Sequence, residues 1–151
     1  MTDTGAMPTP QPFEILLVED SPADARLTRE ALKDAKVWHN LYMVGDGVEA
    51  MDFLHRRGRF SDAPRPDLIL LDLNLPRKDG REVLAEVKTN DAFKRIPVVV
   101  LTTSQADEDI EKVYNLNANC FISKPVDFEQ FTKIVRSIEE FWFTVVSRLP
   151  K

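Results

Sequence analysis

Five short apolar runs punctuate this chain, and a segment of helical character follows each one. The runs lie at 14–18, 41–44, 68–71, 97–101 and 119–123. Each is too short for a buried helix and almost unbroken by polar residues, which is how a strand covered on both faces reads. Parallel neighbours cannot be joined by a tight hairpin and need a crossover. Five strand–helix alternations therefore predict an α/β fold, a doubly wound parallel sheet with helices on both faces.

The segments between the runs carry their own start signals. Ser21-Pro22-Ala23-Asp24 offers an N-cap, a proline at the first helical position and an acid in the first turn. Leu27, Ala31 and Leu32, with Thr28 and Ala35, supply an inner face for a helix ending about Ala35. Asp46 followed by Glu49, and Asp79 followed by Glu82, are capping boxes. Behind them Val48, Met51 and Leu54, then Val83, Leu84 and Val87, recur at helical spacing. Residues 56–66, with four arginines, read as a solvated connection. An acidic helix is expected over 107–117, with Ile110, Val113 and Leu116 inward. The last helix begins near Val126-Asp127 and shows Phe128, Phe131, Val135, Ile138, Trp142, Val145 and Leu149 at 3,4 spacing.

Composition narrows the class. At 151 residues the chain suits one domain with its own core. A net charge of −5 argues against nucleic acid as a partner, since phosphate backbones want a basic face. No apolar run approaches the roughly 20 residues of a membrane span. Residues 1–12, with Pro8, Pro10 and Pro12 but neither a basic nor an apolar stretch, read as a disordered leader rather than a signal peptide, leaving 13–149 as the domain. Cys120 is the only cysteine, which fits a reducing, cytoplasmic compartment, and its apolar surroundings suggest a core residue.

Chemistry gathers where the runs end. Glu19 and Asp20 follow the first, Asp72 closes the third, Thr102 the fourth, and Lys124 follows the fifth. Alone, Asp72 could simply open a turn, but ligands in open α/β sheets sit outside the carboxyl ends of the strands. Three carboxylates at one edge need a counter-charge. Mg²⁺ suits them, because it takes one or two carboxylates and keeps its remaining positions for water and substrate oxygens. An ammonium and a hydroxyl beside that ion are what a phosphoryl group requires.

Leu16-Leu17-Val18-Glu19-Asp20, Leu70-Leu71-Asp72-Leu73-Asn74-Leu75-Pro76, Asp79-Gly80, Leu101-Thr102 and Lys124-Pro125 together resemble the receiver domain of bacterial two-component response regulators, over residues 13–146. The resemblance implies a flavodoxin-like sheet of order 2-1-3-4-5 and Asp72 as phospho-acceptor. It implies Glu19 and Asp20 as the acidic pair, direct Mg²⁺ ligation by Asp20 and Asp72, and a third protein ligand in the Asn74 carbonyl. Thr102 and Lys124 would bind the phosphoryl oxygens, and Phe121 would be the switch aromatic. Thr103 departs from the family's usual Ala or Gly and could narrow access to Asp72. Asp20-Ser21-Pro22-Ala23-Asp24, Leu101-Thr102-Thr103-Ser104 and Phe141-Trp142 resemble, more narrowly, the single-domain regulators that partner bacterial phytochromes and related kinases. On that reading a sensor histidine kinase donates the phosphoryl group, and output passes through protein contacts without a separate enzymatic activity.

Two other readings meet obstacles. A Mg²⁺-dependent phosphatase with an aspartyl nucleophile, of the haloacid dehalogenase-like kind, would place an acid two residues after Asp72, where Asn74 stands. A flavin-binding relative would want a hydroxyl- or glycine-rich phosphate loop after the first strand, where Glu19-Asp20 would repel phosphate. His39 and His55 lie away from the strand ends and read as surface residues. Finally, consecutive Phe141, Trp142 and Phe143 cannot all face one core, so the C-terminal helix is expected to build a homodimer.

Overall fold

The computed structural model describes residues 12–34, 38–102, 120–124, 129, 132 and 133. In chain order these form β1 (Phe13–Val18), α1 (Pro22–Asp34), β2 (His39–Val44), α2 (Gly47–His55), a 3-10 turn (Gly58–Phe60), β3 (Leu68–Asp72), α3 (Gly80–Thr89), β4 (Val98–Thr102) and β5 (Cys120–Ser123). Residues 1–11 of the leader expected over 1–12, Thr103, the helix expected over 107–117 and the aromatic end of the expected C-terminal helix lie outside the described residues. Among the described residues no helix is long and apolar enough to cross a membrane.

The strands make one parallel sheet in the order β2-β1-β3-β4-β5, as expected. Side chains alternate across it. Leu16, Val18, Ile69, Leu71, Val98 and Val100 meet α2 and α3 on one face through Met51, Phe53, Leu54, Val83, Leu84 and Val87. Ile15, Leu17, Leu68, Leu70, Val99 and Leu101 meet Ala31 and Leu32 of α1 on the other. All five residues of β3 are buried, as the continuous apolar run requires.

The helix signals work with small shifts. The Ser21 Oγ accepts from the Asp24 N–H at 3.3 Å. The Asp46 Oδ1 accepts from the Glu49 N–H at 2.8 Å, and the Glu49 carboxylate reaches back one residue beyond the cap, to the Gly45 N–H at 2.8 Å. At α3 the Asp79 Oδ1 accepts from the Arg81 N–H at 2.7 Å.

Two expectations need correction. β2 begins two residues earlier than its apolar run, at His39 and Asn40. It is a sheet edge with β1 as its neighbour, so polar residues are tolerated there, and the Asn40 amide donates across to the Glu14 carboxylate at 3.1 Å. The segment 56–66 is more than a solvated connection. Phe60 packs edge-on to Phe53 at 5.4 Å, and Phe53 in turn meets Tyr42 at 5.5 Å. Arg59 covers the outer face of Phe60 at 4.5 Å while pairing with Glu49.

Candidate functional site

Parallel pairing brings the carboxyl ends of the strands to one edge. Val18 lies beside Leu71, Asp72 beside Leu101, and Thr102 beside Ser123. The residues just past these positions are therefore neighbours in space although far apart in sequence.

Glu19 continues the β1 ladder, its N–H donating to the Val44 carbonyl at 3.0 Å. It is 6% exposed, and its Oε2 accepts from the Ser21 N–H at 3.2 Å. Asp72 is 4% exposed, and its Oδ1 accepts from the Asn74 N–H at 2.9 Å as the chain turns out of β3. Each carboxylate thus gives one oxygen to its own turn and presents the other to Lys124. The Lys124 Nζ stands 2.5 Å from Glu19 Oε1 and 2.9 Å from Asp72 Oδ2. A third carboxylate, Asp24 at the start of α1, meets the same ammonium at 3.0 Å through Oδ2.

The turn after β3 is held tightly. The Gly80 N–H donates to the Leu73 carbonyl at 3.0 Å, and a Cβ at residue 80 would stand 2.2 Å from the Asp72 carbonyl oxygen. Only glycine lets α3 start this close to the acidic strand end. Arg77 takes a left-handed backbone, φ 64°, and pairs with Asp46 Oδ2 at 3.2 Å, bracing the turn against the start of α2.

Burial, and then the nearby Asp72 carboxylate, push Glu19 up to about 7, against a smaller downward pull from Lys124. Burial by itself would lower the Lys124 ammonium, but contacts with Glu19, Asp72 and Asp24 outweigh it and hold the group above its ordinary value. The edge therefore gathers three carboxyl groups around one firmly protonated lysine.

Carboxylate oxygens of Glu19, Asp20 and Asp72 lie within 4.8 Å of one another, with Asp20 open to solvent. Opposed ligands on Mg²⁺ are separated by about 4.2 Å, twice its bond length to oxygen. The set therefore closes on a hard cation with small side-chain movements, and the donor chemistry fits a divalent ion.

Of the expected site residues, Glu19, Asp20, Asp72 and Lys124 come together in this way. Asn74 is exposed on the adjoining turn. Thr102 closes β4, and Phe121 stands opposite Val100 in β5. His39 opens β2, and the His55 ring meets Phe93 at 5.0 Å, so neither joins the site. In the sequence Asp24 stands out as an acid in the first helical turn and as the end of the Asp20–Asp24 motif, but not as a site residue. The available signal was its position one turn after Asp20, where a side chain leaning toward the helix N-terminus points back at the strand ends.

Known proteins resemble this chain in sequence and fold. The family model described as response regulator receiver domain matches residues 15–136. Response regulator Rcp1 of Synechocystis sp. (strain ATCC 27184 / PCC 6803 / Kazusa) is 52% identical over 136 residues, covering 90% of this chain and 92% of its own length. The crystal structure of the phosphorylated cyanobacterial phytochrome response regulator RcpA superposes with a TM-score of 0.75 at 53% identity, over 89% of this chain and 96% of that one. The Mn²⁺-bound form of Rcp1 superposes with a TM-score of 0.74 at 52% identity, over 93% of this chain and all of that one (100%).

Proposed function

Because the chain belongs to the response regulator receiver domain family, we propose that it takes a phosphoryl group onto Asp72 from a phosphohistidine of a sensor histidine kinase. The observation that carries this reading is the Lys124 ammonium, 2.9 Å from Asp72 Oδ2 and 2.5 Å from Glu19 Oε1, beside a carboxylate set that fits a divalent cation.

An Asp72 carboxylate oxygen attacks phosphorus in line, the P–N bond breaks, and the imidazole leaves with the bonding electron pair. The product is an acyl phosphate, which water later hydrolyses to phosphate and the free carboxylate. Lys124 and Thr102 bind the phosphoryl oxygens and stabilise the charge that gathers there. Mg²⁺, held by Glu19, Asp20, Asp72 and the Asn74 carbonyl, would supply further positive charge to those oxygens. The Asn74 N–H on Oδ1 keeps the acceptor's orientation.

Phosphorylation draws Thr102 toward the new group, Phe121 follows, and the surface around β5 and the C-terminal helix changes shape. Likeness to phytochrome response regulators supports a phytochrome-type kinase as donor. The signal leaves through protein contacts in the cytoplasm, including a homodimer built by the C-terminal helix, without nucleic acid.

Incubation with acetyl phosphate and Mg²⁺, followed by intact-mass measurement, tests this directly. One phosphoryl group should be added, only with the metal, and none to Asp72→Asn. Equal labelling of Asp72→Asn overturns the assignment.

A further inference from the structure

Resting on that reading, the environment of Lys124 shows one more participant. The ammonium has three carboxylate partners: Glu19, Asp72 and Asp24. Two of them belong to the set that fits the cation. Both change during the reaction. Asp72 would lose its carboxylate charge on becoming an acyl phosphate, and Glu19 would help to hold the metal. Asp24 stands outside the cation set and outside the reacting carboxylate.

Asp24 is also well placed to hold. It lies in the first turn of α1, behind Pro22, with its N–H donating to the Ser21 Oγ at 3.3 Å. Its side chain is 37% exposed, while that of Lys124 is 9% exposed. A half-solvated carboxylate adds little net Coulomb attraction. What it supplies is a direction for the ammonium at the end of a flexible four-carbon stem. We propose that Asp24 is a positioning residue, keeping the Lys124 ammonium beside Asp72 while its other two partners are taken up by metal and phosphoryl group. It touches neither the phosphoryl group nor the metal and acts through Lys124.

Misplacing a catalytic group by 1 Å can cost about a hundredfold in rate. Because packing around the largely buried Lys124 side chain keeps part of the hold, Asp24→Ala should slow phosphorylation by acetyl phosphate at saturating Mg²⁺ by roughly tenfold. Its Mg²⁺ affinity, read by calorimetry, and its melting temperature should stay close to wild type. Asp24→Glu should recover most of the rate. The deciding measurement is a double-mutant cycle with Lys124→Ala, in which removing Asp24 should cost nothing further. An unchanged rate in Asp24→Ala, or the same proportional loss with and without Lys124, overturns the role. A wild type that takes no phosphoryl group overturns the proposed function and this role with it. A labelled wild type beside an unaffected Asp24→Ala overturns only the role.

Discussion

At the scale of single residues, Lys124 balances charge that a cation would otherwise balance. It sits between Glu19 and Asp72, so a metal there would compete with the ammonium for the same carboxylates. Lys124→Ala should therefore still bind Mg²⁺, more tightly than wild type by about two- to tenfold, because the cluster becomes more negative. It should also transmit the phosphorylated state poorly. Calorimetric titration checks the first point, and a marked loss of Mg²⁺ affinity would count against the geometry. Glu19, Asp20, Asp72 and Lys124 were all legible in the sequence, because each falls at or just past the end of an apolar run. The contact of Lys124 with Asp24 was not, since it joins groups 100 residues apart and depends on how α1 leaves the sheet.

At the scale of elements, the strands buried on both faces were the easiest to read. β3 lies where its apolar run lies, whereas β2 hid its first two residues behind the polar pattern allowed at an edge. The tie between β1 and β3 adds a pH-sensitive joint. Asp67, just before β3, accepts the Glu14 N–H at 2.9 Å through Oδ2. Burial raises Asp67 above its ordinary 3.8, against the opposing effect of that N–H. The folded chain therefore holds this proton more tightly than the unfolded chain. The associated stability is fully present below 3.8 and is lost as pH rises through the folded value. Asp67→Asn keeps an acceptor oxygen and cannot titrate. Its urea midpoint relative to wild type should climb as pH rises above 3.8. A constant difference across that range would mean that burial at this joint is not felt by the carboxyl.

At the scale of the whole molecule, the C-terminal helix is expected to pair two copies. From 127 to 148 it would run about 33 Å at 1.5 Å per residue, against 10–14 residues for a common globular helix. Phe141, Trp142 and Phe143 then leave apolar surface for a partner. Light scattering on wild type should report a dimer, and Phe141→Glu, Trp142→Glu together should give a monomer. A wild type that remains monomeric at high micromolar concentration sinks this arrangement. The clasp between Asp24 and Lys124 has a different consequence, for the timing of synthesis. The acidic residues and the acceptor strand leave the ribosome first, and the ammonium that serves them arrives 100 residues after Asp24. At about 5–20 residues per second, that interval lasts roughly 5–20 s. On the proposed function, a growing chain would carry Asp72 without the lysine that serves it, and could take up a phosphoryl group only once β5 had joined the sheet.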